Sequence, residues 1–517
     1  MGVHQNNKSD NSEHEGVTMN PTAETAATFE EAITATGFGK FNYLLLFIIF
    51  FPSIAQLLNT VELSYVLPVA QCDLELSLED KGFLNGAMFA GMITSGLFWG
   101  YISDALGRKR IIVYGYLVTG VFAVTAALAT NKTVLMVAKL LSGVFINGPY
   151  SAGSCHIIEF HSNFYRGRVN LAKGIFISIG NLLLPVLAWA ILPRKWDFSF
   201  FGLYELHSWN ILLLICASTT IISSVLYTFV PESPKFLMAT GRTEEALNVM
   251  KKIYALNSGQ SQENFPVKSL VEETTNKKKV SKALKDGFMG MGKMFHKPQI
   301  FYICLGCFNA FSLIMSSNTL KLWLPQIFQA INDYQYYHND TNSICVMLDE
   351  LKPHQENFTT QNCFVNLENI SVYINTFIVA ATRILMFALS DYFLQLLGVK
   401  TLTVVTCFLC AGLNSSIYFA RSSQVVTALA ATGTATASVA ENVLIALTLE
   451  LFPTNLRAIA LSIQLTAGRI GTLVGSAIFP YLLLSGCLPP FMFIGLFGSA
   501  CGLVSLFYTS VKNKPLE

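Results

Sequence analysis

The chain has 517 residues, of which 52% are hydrophobic and 13% charged, with a formal net charge of +2. Soluble domains carry about 25% charged residues, so this composition excludes an ordinary soluble protein. The small net charge gives no sign of a nucleic-acid-binding protein. Apolar runs recur along the sequence with about 20 residues each, the length that a helix needs to cross a bilayer. The composition therefore predicts an all-α integral membrane protein.

Twelve candidate transmembrane spans follow a polar segment, residues 1–40, which lacks the apolar core of a signal peptide and is predicted to be a disordered tail. The spans cover approximately residues 42–68, 82–102, 110–129, 134–157, 170–192, 209–230, 300–324, 371–390, 401–420, 425–449, 457–483 and 489–510. We predict two six-helix halves, at 41–230 and 300–510, joined by a central loop at 231–299 that contains an amphipathic helix, and followed by a tail at 511–517.

Basic residues are concentrated in the loops after spans 2, 4 and 6, in the stretches "GRKR", "YRGR" and "NKKK". Because cytoplasmic loops are enriched in Lys and Arg, both termini and the central loop are predicted to be cytoplasmic. The loop at 329–370 then lies on the luminal or extracellular side. Four sequons for glycosylation fall in loops predicted for that side, with the acceptors Asn131, Asn339, Asn357 and Asn369. Cys345 and Cys363 share the loop at 329–370 and are disulfide candidates, with unpaired cysteines as the alternative.

An internal repeat relates the two halves. After spans 4 and 10, a Glu and an Arg stand at the same separation, and the two copies are offset by 291 residues. These residues are Glu159, Arg166, Glu450 and Arg457. The same offset places Gly107 on Gly398 and Lys109 on Lys400. Two parallel halves around a central cleft are the plan of many secondary transporters.

The stretch "GYISDALGRKR" joins spans 2 and 3. In it, Asp104 ends a span after Gly100, Gly107 allows a tight turn, and Arg108 and Lys109 anchor the next helix at the anionic leaflet. We expect these residues, together with the Glu and Arg of the repeat, to form latches that break when the halves move. The alternative is that the stretch determines topology alone.

"GYISDALGRKR" resembles the signature of the major facilitator superfamily, and the repeated Glu/Arg pairs with "PESPKFL" at 231–237 are similar to its sugar and organic-ion carrier branch. Within that branch the chain resembles the synaptic vesicle glycoprotein 2 family, through "NTVELSYVLP", "AWAILP", "TLKLWLP" and "TLELFPTNLRA". The resemblance implies the twelve-helix major facilitator fold. The loop after span 7 is shorter than the luminal domain of vertebrate members, so the chain is interpreted as a relative of that family.

A charge inside the membrane costs about 2.5–3.5 kcal/mol on insertion scales, so we take mid-span charges as candidate cleft residues. Arg469 in span 11 is the strongest candidate, and the alternative is a structural ion pair with Glu441 of span 10. The resemblance to organic-ion carriers implies that Arg469 favours an anionic or zwitterionic substrate. Glu441 and Asn442 follow a run of small residues that lets helices approach closely.

Glu62 shares one side of span 1 with Asn59 and is either a cleft residue or a solvated acid near the outer surface. A desolvated Glu62 would be able to carry a coupling proton. Lys139 lies close to the start of span 4 and is interpreted as a structural residue whose amine reaches the surface. Trp323 and Tyr65 either stack on substrate or belong to the aromatic belt at the membrane surface.

The sequence has no metal-ligand cluster, nucleotide-binding loop or other cofactor motif, so we predict neither an enzyme nor a primary pump. The leading hypothesis is a secondary carrier of a small organic solute, coupled to a proton or another ion, in the plasma membrane or a vesicle membrane. The alternative is a transporter-like glycoprotein that has lost transport and serves as a receptor or trafficking partner.

Overall fold

The computed structural model describes residues 26–194, 196, 198–200, 204–271, 299–338, 342–351, 370–452 and 454–508. All twelve predicted spans are helical in it. Eleven helical segments are long and apolar enough to cross a membrane. The segment at span 2, Leu78–Leu106, falls outside that set, although its 29 residues are sufficient in length. Its glycines and polar residues lower its mean hydropathy. This helix packs against the helices of spans 4 and 11.

The N-terminal half contains spans 1 to 6, with span 1 formed by α2 and α3. A short helix, α1, precedes span 1 and packs against the central loop, which corrects the prediction of a disordered tail throughout residues 1–40. The helices are α1 Phe29–Ala35, α2 Lys40–Val61, α3 Leu63–Val69, α4 Leu78–Leu106, α5 Arg108–Ala127, α6 Lys132–Glu159, α7 Asn163–Ile191 and α8 Ser208–Thr228. Before α8, strands β1 Phe198–Phe200 and β2 Tyr204–Leu206 pair antiparallel, a small hairpin that the all-α prediction lacks.

The central loop contributes two helices, and spans 7 to 12 make up the C-terminal half. The helices are α9 Pro234–Ala239, α10 Thr243–Ser258, α11 Gln299–His338, α12 Ile344–Leu348, α13 Ser371–Leu397, α14 Val399–Ser416, α15 Ser423–Leu451, α16 Thr454–Ser485 and α17 Leu488–Ser505. The Ser233 hydroxyl caps α9 by accepting from Phe236 N at 3.2 Å, and Pro234 stands at its first position, as "PESPKFL" predicts.

Each half packs mainly within itself. In the N-terminal half α6 lies between α4 and α5, and α2 contacts α7 and α8. The C-terminal half repeats this arrangement, with α15 between α13 and α14, and α11 against α16 and α17. Among the described residues, the halves meet mainly through α4 with α16, α7 with α13, and α3 with α11. The cleft therefore runs between α4, α6 and α7 on one side and α11, α13, α15 and α16 on the other.

Two glycines confirm the internal repeat in backbone geometry. Gly107, between α4 and α5, has φ 94° and ψ 151°, and Gly398, between α13 and α14, has φ 74° and ψ 159°. Other residues rarely adopt such positive φ values. A Cβ at Gly107 would also lie 2.6 Å from Glu232 Oε2. The turn after span 2 and its counterpart after span 8 thus have the same conformation.

The two ends of the bundle are named here by their residues. The latch end contains Gly107, Arg108 and Glu159. The disulfide end contains a bond between Cys345, in α12, and Cys487, before α17, with Cα atoms 5.3 Å apart. This corrects the predicted pairing of Cys345 with Cys363, which lies outside the described residues. Spacing along the chain does not determine which cysteines meet.

The halves are in close contact toward the disulfide end. A Cβ at Gly82 of α4 would lie 2.7 Å from Ser476 O and from Pro480 of α16, and one at Gly86 would lie 2.7 Å from Leu473. Between the residues that the structure describes, no hydrogen bond or ion pair joins the halves at the latch end. The cleft is thus closed at the disulfide end, and its charged residues lie deeper in the bundle.

Candidate functional site

Glu62 and Lys139 form an ion pair inside the N-terminal half. Glu62 caps α3, Lys139 belongs to α6, and each side chain is only 1% exposed. Asn59 lies on the same side of α2 and donates to Ala55 O at 2.9 Å and to Cys216 O of α8 at 3.5 Å. These contacts correct the prediction that Glu62 and Asn59 line the cleft, because hydropathy gave the depth of each residue but not the helix it faces. Lys139 is also buried, so its amine pairs with Glu62 and does not reach the membrane surface as predicted.

Arg383 and Glu441 form the charged centre of the C-terminal half. Arg383 Nη2, on α13, lies 3.4 Å from Glu441 Oε2, on α15, and the two side chains are 20% and 23% exposed. The second oxygen, Glu441 Oε1, and the second amine, Arg383 Nη1, are buried with no hydrogen-bond partner among the described residues. The pair is therefore only half satisfied, and each partner has an atom free to bind a further polar group.

Lys321 extends this centre across the cleft. Its Nζ, on α11, donates to Asn181 Oδ1 of α7 at 2.9 Å, so the contact joins the two halves. The charged groups close enough to act on Lys321 are Arg383 and Glu441. Two cations and one carboxylate therefore lie together at this position.

Arg469 lies near the middle of α16 and faces the N-terminal half. Its Nη1 is 3.9 Å from the position of a Cβ on Gly96 of α4, and Tyr150 of α6 interacts electrostatically with the guanidinium. Within the described part of the chain, the Arg469 guanidinium has no hydrogen-bond or ion-pair partner. The predicted alternative, an ion pair with Glu441, is absent among the described contacts because Glu441 pairs with Arg383.

Lys173 of α7 is a further cation beside Tyr150. Its Nζ lies 4.2 Å from the centroid of the Tyr150 ring and donates to Ser154 Oγ. Tyr150 thus lies between the cations of α7 and α16. A phenol ring face stabilises a neighbouring ammonium group.

The central cleft consequently has an excess of positive charge. Its described cations are Lys173, Lys321, Arg383 and Arg469. Glu441 is the described carboxylate that offsets them. The described residues contain no cluster of His, Cys, Asp and Glu that would hold a metal ion. Chemically, the cleft offers N–H donors and positive charge to an anionic ligand.

At the latch end, the "GRKR" residues contact the start of the central loop. Arg108 forms an ion pair with Glu159, which also accepts from Ser233 Oγ at 2.5 Å. Lys109 N donates to Glu232 Oε1 at 3.1 Å. Gly100 and Asp104 belong to the last turns of α4, and the Asp104 side chain lies outside the described part. The N-terminal latch residues therefore bind each other and the central loop.

In neither copy of the repeat do the Glu and the Arg pair with each other among the described contacts. Arg166 forms an ion pair with Glu30 of α1, and Arg457 Nε donates to Phe452 O at 2.8 Å. Glu450 is exposed and has no ion-pair partner among the described residues. Burial lowers the pKa of His161, between α6 and α7, so its ring adds no charge to this end at neutral pH.

The remaining candidates have packing roles where the structure describes them. Asn442 Nδ2 donates to Ser390 Oγ at 3.2 Å and ties α15 to α13. Trp323 is buried and stacks on Phe479, with ring centroids 5.0 Å apart. Tyr65 is also buried, at the contact of α3 with the C-terminal half. Exposed Asn131 caps α6 by accepting from Val134 N at 2.8 Å. The acceptors Asn339, Asn357 and Asn369 lie outside the described residues.

Sequence reasoning missed Arg383, Lys321 and Lys173. Arg383 lies in the interior of span 8, so the rule that selected Arg469 would have selected it as well. Lys321 and Lys173 stand close to the limits drawn for spans 7 and 5, where a lysine usually reaches the membrane surface. The lengths of α11 and α7 place them inside the bundle instead.

Comparison with known proteins identifies the family. The model of the family described as "Sugar (and other) transporter" matches residues 36–335, more than half of the chain. Synaptic vesicle glycoprotein 2C of Mus musculus is 27% identical over 368 residues, covering 66% of this chain and 49% of that protein. Synaptic vesicle glycoprotein 2B of Homo sapiens is 31% identical over 233 residues, 45% of this chain and 34% of that protein. The chain thus spans about half or less of the length of these relatives.

Solved structures give the fold. The crystal structure of a D-xylose-proton symporter matches with a TM-score of 0.65 at 16% identity. The match covers 92% of this chain and 100% of that one. The inward-open xylose transporter XylE from E. coli matches with a TM-score of 0.64 at 16% identity, covering 91% of this chain and 96% of that one. These matches confirm the predicted twelve-helix major facilitator fold. A family of transporters also confirms the prediction that the chain is not an enzyme. The chain is a multi-pass membrane protein similar to the synaptic vesicle glycoproteins 2, and it belongs to the sugar (and other) transporter family.

Proposed function

We propose that the protein is a secondary transporter that carries a small organic anion through its central cleft by alternating access. The observation that supports this proposal is the unmatched positive charge of the cleft. Lys321 and Arg383 share one carboxylate, Glu441, and Arg469 has no partner among the described residues. A buried cation is costly in a membrane unless a partner offsets it. An anionic substrate would be that partner, and it would contact both halves.

The contacts between the halves suggest which side is open. The close approach of Gly82 and Gly86 to α16 closes the disulfide end, whereas the latch ends of the two halves have no described hydrogen bond between them. If the latch end is cytoplasmic, as the distribution of Lys and Arg predicts, this state is open to the cytoplasm. Transport then requires the Gly82 contact to separate and the latch ends to come together.

The N-terminal latch supports movement of that half as a rigid body. The ion pairs of Arg108 with Glu159 and of Arg166 with Glu30 hold α5, α6, α7 and α1 together at one end. The pair of Glu62 with Lys139 holds the junction of α2 and α3 against α6 at the other end. Alternating access in this fold is largely a rigid-body movement of one half against the other.

The proposal is tested by uptake into proteoliposomes that contain the purified protein. Radiolabelled benzoate, D-xylose and tetraethylammonium serve as anionic, neutral and cationic probes, each with and without an imposed pH gradient. We expect benzoate uptake that Arg383→Gln lowers at least tenfold, because a lost charge-assisted hydrogen bond is worth about 1.5–3 kcal/mol. Lys132→Gln is the matched control, since Lys132 pairs with Asp80 on the outside of the bundle at 2.7 Å.

The outcomes separate the proposal from its alternative. Uptake of xylose or tetraethylammonium in preference to benzoate would contradict the anionic specificity but keep a carrier. A folded, correctly inserted protein that takes up none of the probes and is stabilised by none of them would favour the transporter-like glycoprotein. An effect of the pH gradient on uptake that protein-free liposomes do not show would identify a coupling proton, because neutral benzoic acid crosses bilayers without a carrier.

A further inference from the structure

Lys81 is a buried cation beside the contact that closes the disulfide end. It lies in the first turn of α4, just before the predicted limit of span 2, and is only 4% exposed. A Cβ on the next residue, Gly82, would lie 2.7 Å from Ser476 O and from Pro480 of α16, which carry no charge. The disulfide end therefore closes beside Lys81, and separation of the two halves there would expose its amine to water.

The charge of Lys81 is offset from the opposite half. Its Nζ donates to Gln71 Oε1, which follows α3, at 2.5 Å, and a neutral amine makes that bond as an ammonium does. Asp333 of α11 is the charged residue that acts on Lys81 within the described part of the chain. The Asp333 Oδ1 atom accepts from Gln329 Nε2 at 2.8 Å. The compensating carboxylate thus lies across the boundary that must open at this end.

The acids on the same side as Lys81 have partners of their own. Asp80 forms an ion pair with Lys132 Nζ at 2.7 Å. Asp73 Oδ2 accepts from Trp209 Nε1 at 2.6 Å. Among the described residues, neither acid adds to the electrostatic interactions of Lys81, so its charge depends on Asp333.

Other titratable groups on the surrounding elements face residues other than Lys81. On α11, His338 stacks on Tyr334, with ring centroids 4.3 Å apart. Before α8, His207 Nε2 lies 3.9 Å from Asp73 Oδ2. Any effect of pH at the disulfide end must therefore be assigned by substituting Lys81 itself.

Burial at this contact weakens the binding of a proton to Lys81. Removal from water disfavours the charged amine and lowers its pKa to about 7, although Asp333 opposes that shift. In water a lysine has a pKa of about 10.4. Between these two values the open state binds more protons than the closed state. A fall in pH through that window therefore favours opening.

We propose that Lys81 is a proton-dependent switch of the disulfide end, which releases the proton of Lys81 when it closes and takes one up when it opens. The released proton passes to the water on that side, and the neutral amine keeps its bond to Gln71. The proposal rests on the alternating movement of the proposed function but not on the charge of the substrate. The ratio of open to closed molecules should rise about twentyfold from pH 8.4 to pH 6.4.

Three substitutions separate the charge of Lys81 from its bulk. Lys81→Met has no proton to release, so it should favour the closed end at every pH. Lys81→Arg stays charged at every pH, so it should favour opening, again without pH dependence. Asp333→Asn leaves the ammonium without its carboxylate, so it should raise the open fraction at pH 6.4 and keep the pH dependence.

The measurement is the distance between nitroxides at Val134 of α6 and Tyr336 of α11, by double electron–electron resonance in nanodiscs at both pH values. These side chains are 39% and 60% exposed, and attachment through p-acetylphenylalanine leaves the native cysteines unlabelled. Lys132→Met is the matched control, because this lysine of the same end is 45% exposed and should not affect the pH dependence. Size-exclusion profiles and thermal midpoints report whether each variant folds.

Each result decides the inference. A pH-dependent distance in the wild-type protein and in Lys132→Met that Lys81→Met abolishes supports the switch. A pH dependence that persists in folded Lys81→Met, or an unchanged open fraction in folded Asp333→Asn, overturns it. If the wild-type protein opens equally at both pH values, the switch fails while alternating access stands. If the disulfide end stays closed in the wild-type protein and in Lys81→Arg at both pH values, the switch and alternating access fail together.

Discussion

The ion pair between Glu62 and Lys139 provides a direct test of the assignment of Glu62 to the interior of the N-terminal half. Both side chains are 1% exposed, and the Glu62 carboxylate is the hydrogen-bond acceptor of Lys139 Nζ. Removing one partner of a buried pair leaves an uncompensated charge and typically costs about 3–5 kcal/mol. We therefore expect Glu62→Gln and Lys139→Met each to lower the free energy of unfolding by that amount.

The double variant distinguishes an ion pair from two separate residues. Replacing a buried pair by apolar side chains of similar volume is often neutral, so Glu62→Met with Lys139→Met should recover most of the lost stability. The coupling energy follows from the cycle of single and double variants. The measurement is the free energy of unfolding in mixed micelles titrated with SDS.

The exposed pair of Lys132 with Asp80 is the matched control. Those side chains are 45% and 21% exposed, and a pair so accessible to water is worth at most about 1 kcal/mol. Lys132→Met should therefore cost much less than Lys139→Met. The reasoning is refuted if Glu62→Gln has the stability of the wild-type protein and instead abolishes benzoate uptake. That result would assign Glu62 to the cleft, one of the two positions that the sequence alone allowed.

Three further changes test other parts of the structure. Gly82→Val should separate α4 from α16, because its Cβ would lie 2.7 Å from Ser476 O. Spin labels on the two helices should then report a longer distance at the disulfide end. An unchanged distance would contradict the contact. Cys487→Ser should lower stability by about 2–4 kcal/mol, measured by thermal unfolding. Reduction of the wild-type protein should lower it by at least as much, because Cys72 is disulfide-bonded as well. Gly107→Ala should lower the yield of folded protein on size-exclusion chromatography. The reason is that φ of Gly107 is 94° and that Glu232 Oε2 would lie 2.6 Å from the new methyl group. An unchanged yield would argue against the conformation of that turn.

The fold followed from the sequence because membrane helices have few alternatives. An apolar run of sufficient length must form a helix, since no water is present to satisfy its backbone. The repeat was also accessible, and Gly107 and Gly398 have the conformations that their common role predicts. The hairpin of β1 and β2 was missed because it lies in a short connection and contributes no span.

The partners of the buried charges were not accessible in the same way. Hydropathy indicates how deep a residue lies, but not which neighbouring helix it faces. Glu441 and Arg469 are close in sequence and in depth, yet Glu441 pairs with Arg383, 58 residues before it. Glu62 and Lys139 are separated by 77 residues, and no local pattern links them. Only the packing of α13 against α15, and of α2 against α6 within the half, decides these pairs.

The distribution of charge indicates that the two halves contribute differently to substrate binding. In the N-terminal half the buried acid Glu62 is matched by Lys139. The C-terminal half offers Lys321 and Arg383 against one carboxylate and leaves Arg469 without a described partner. A matched pair holds helices together in every state of the cycle, whereas unmatched cations are stabilised only while an anion is bound. Substrate binding should therefore depend mainly on charges of the C-terminal half.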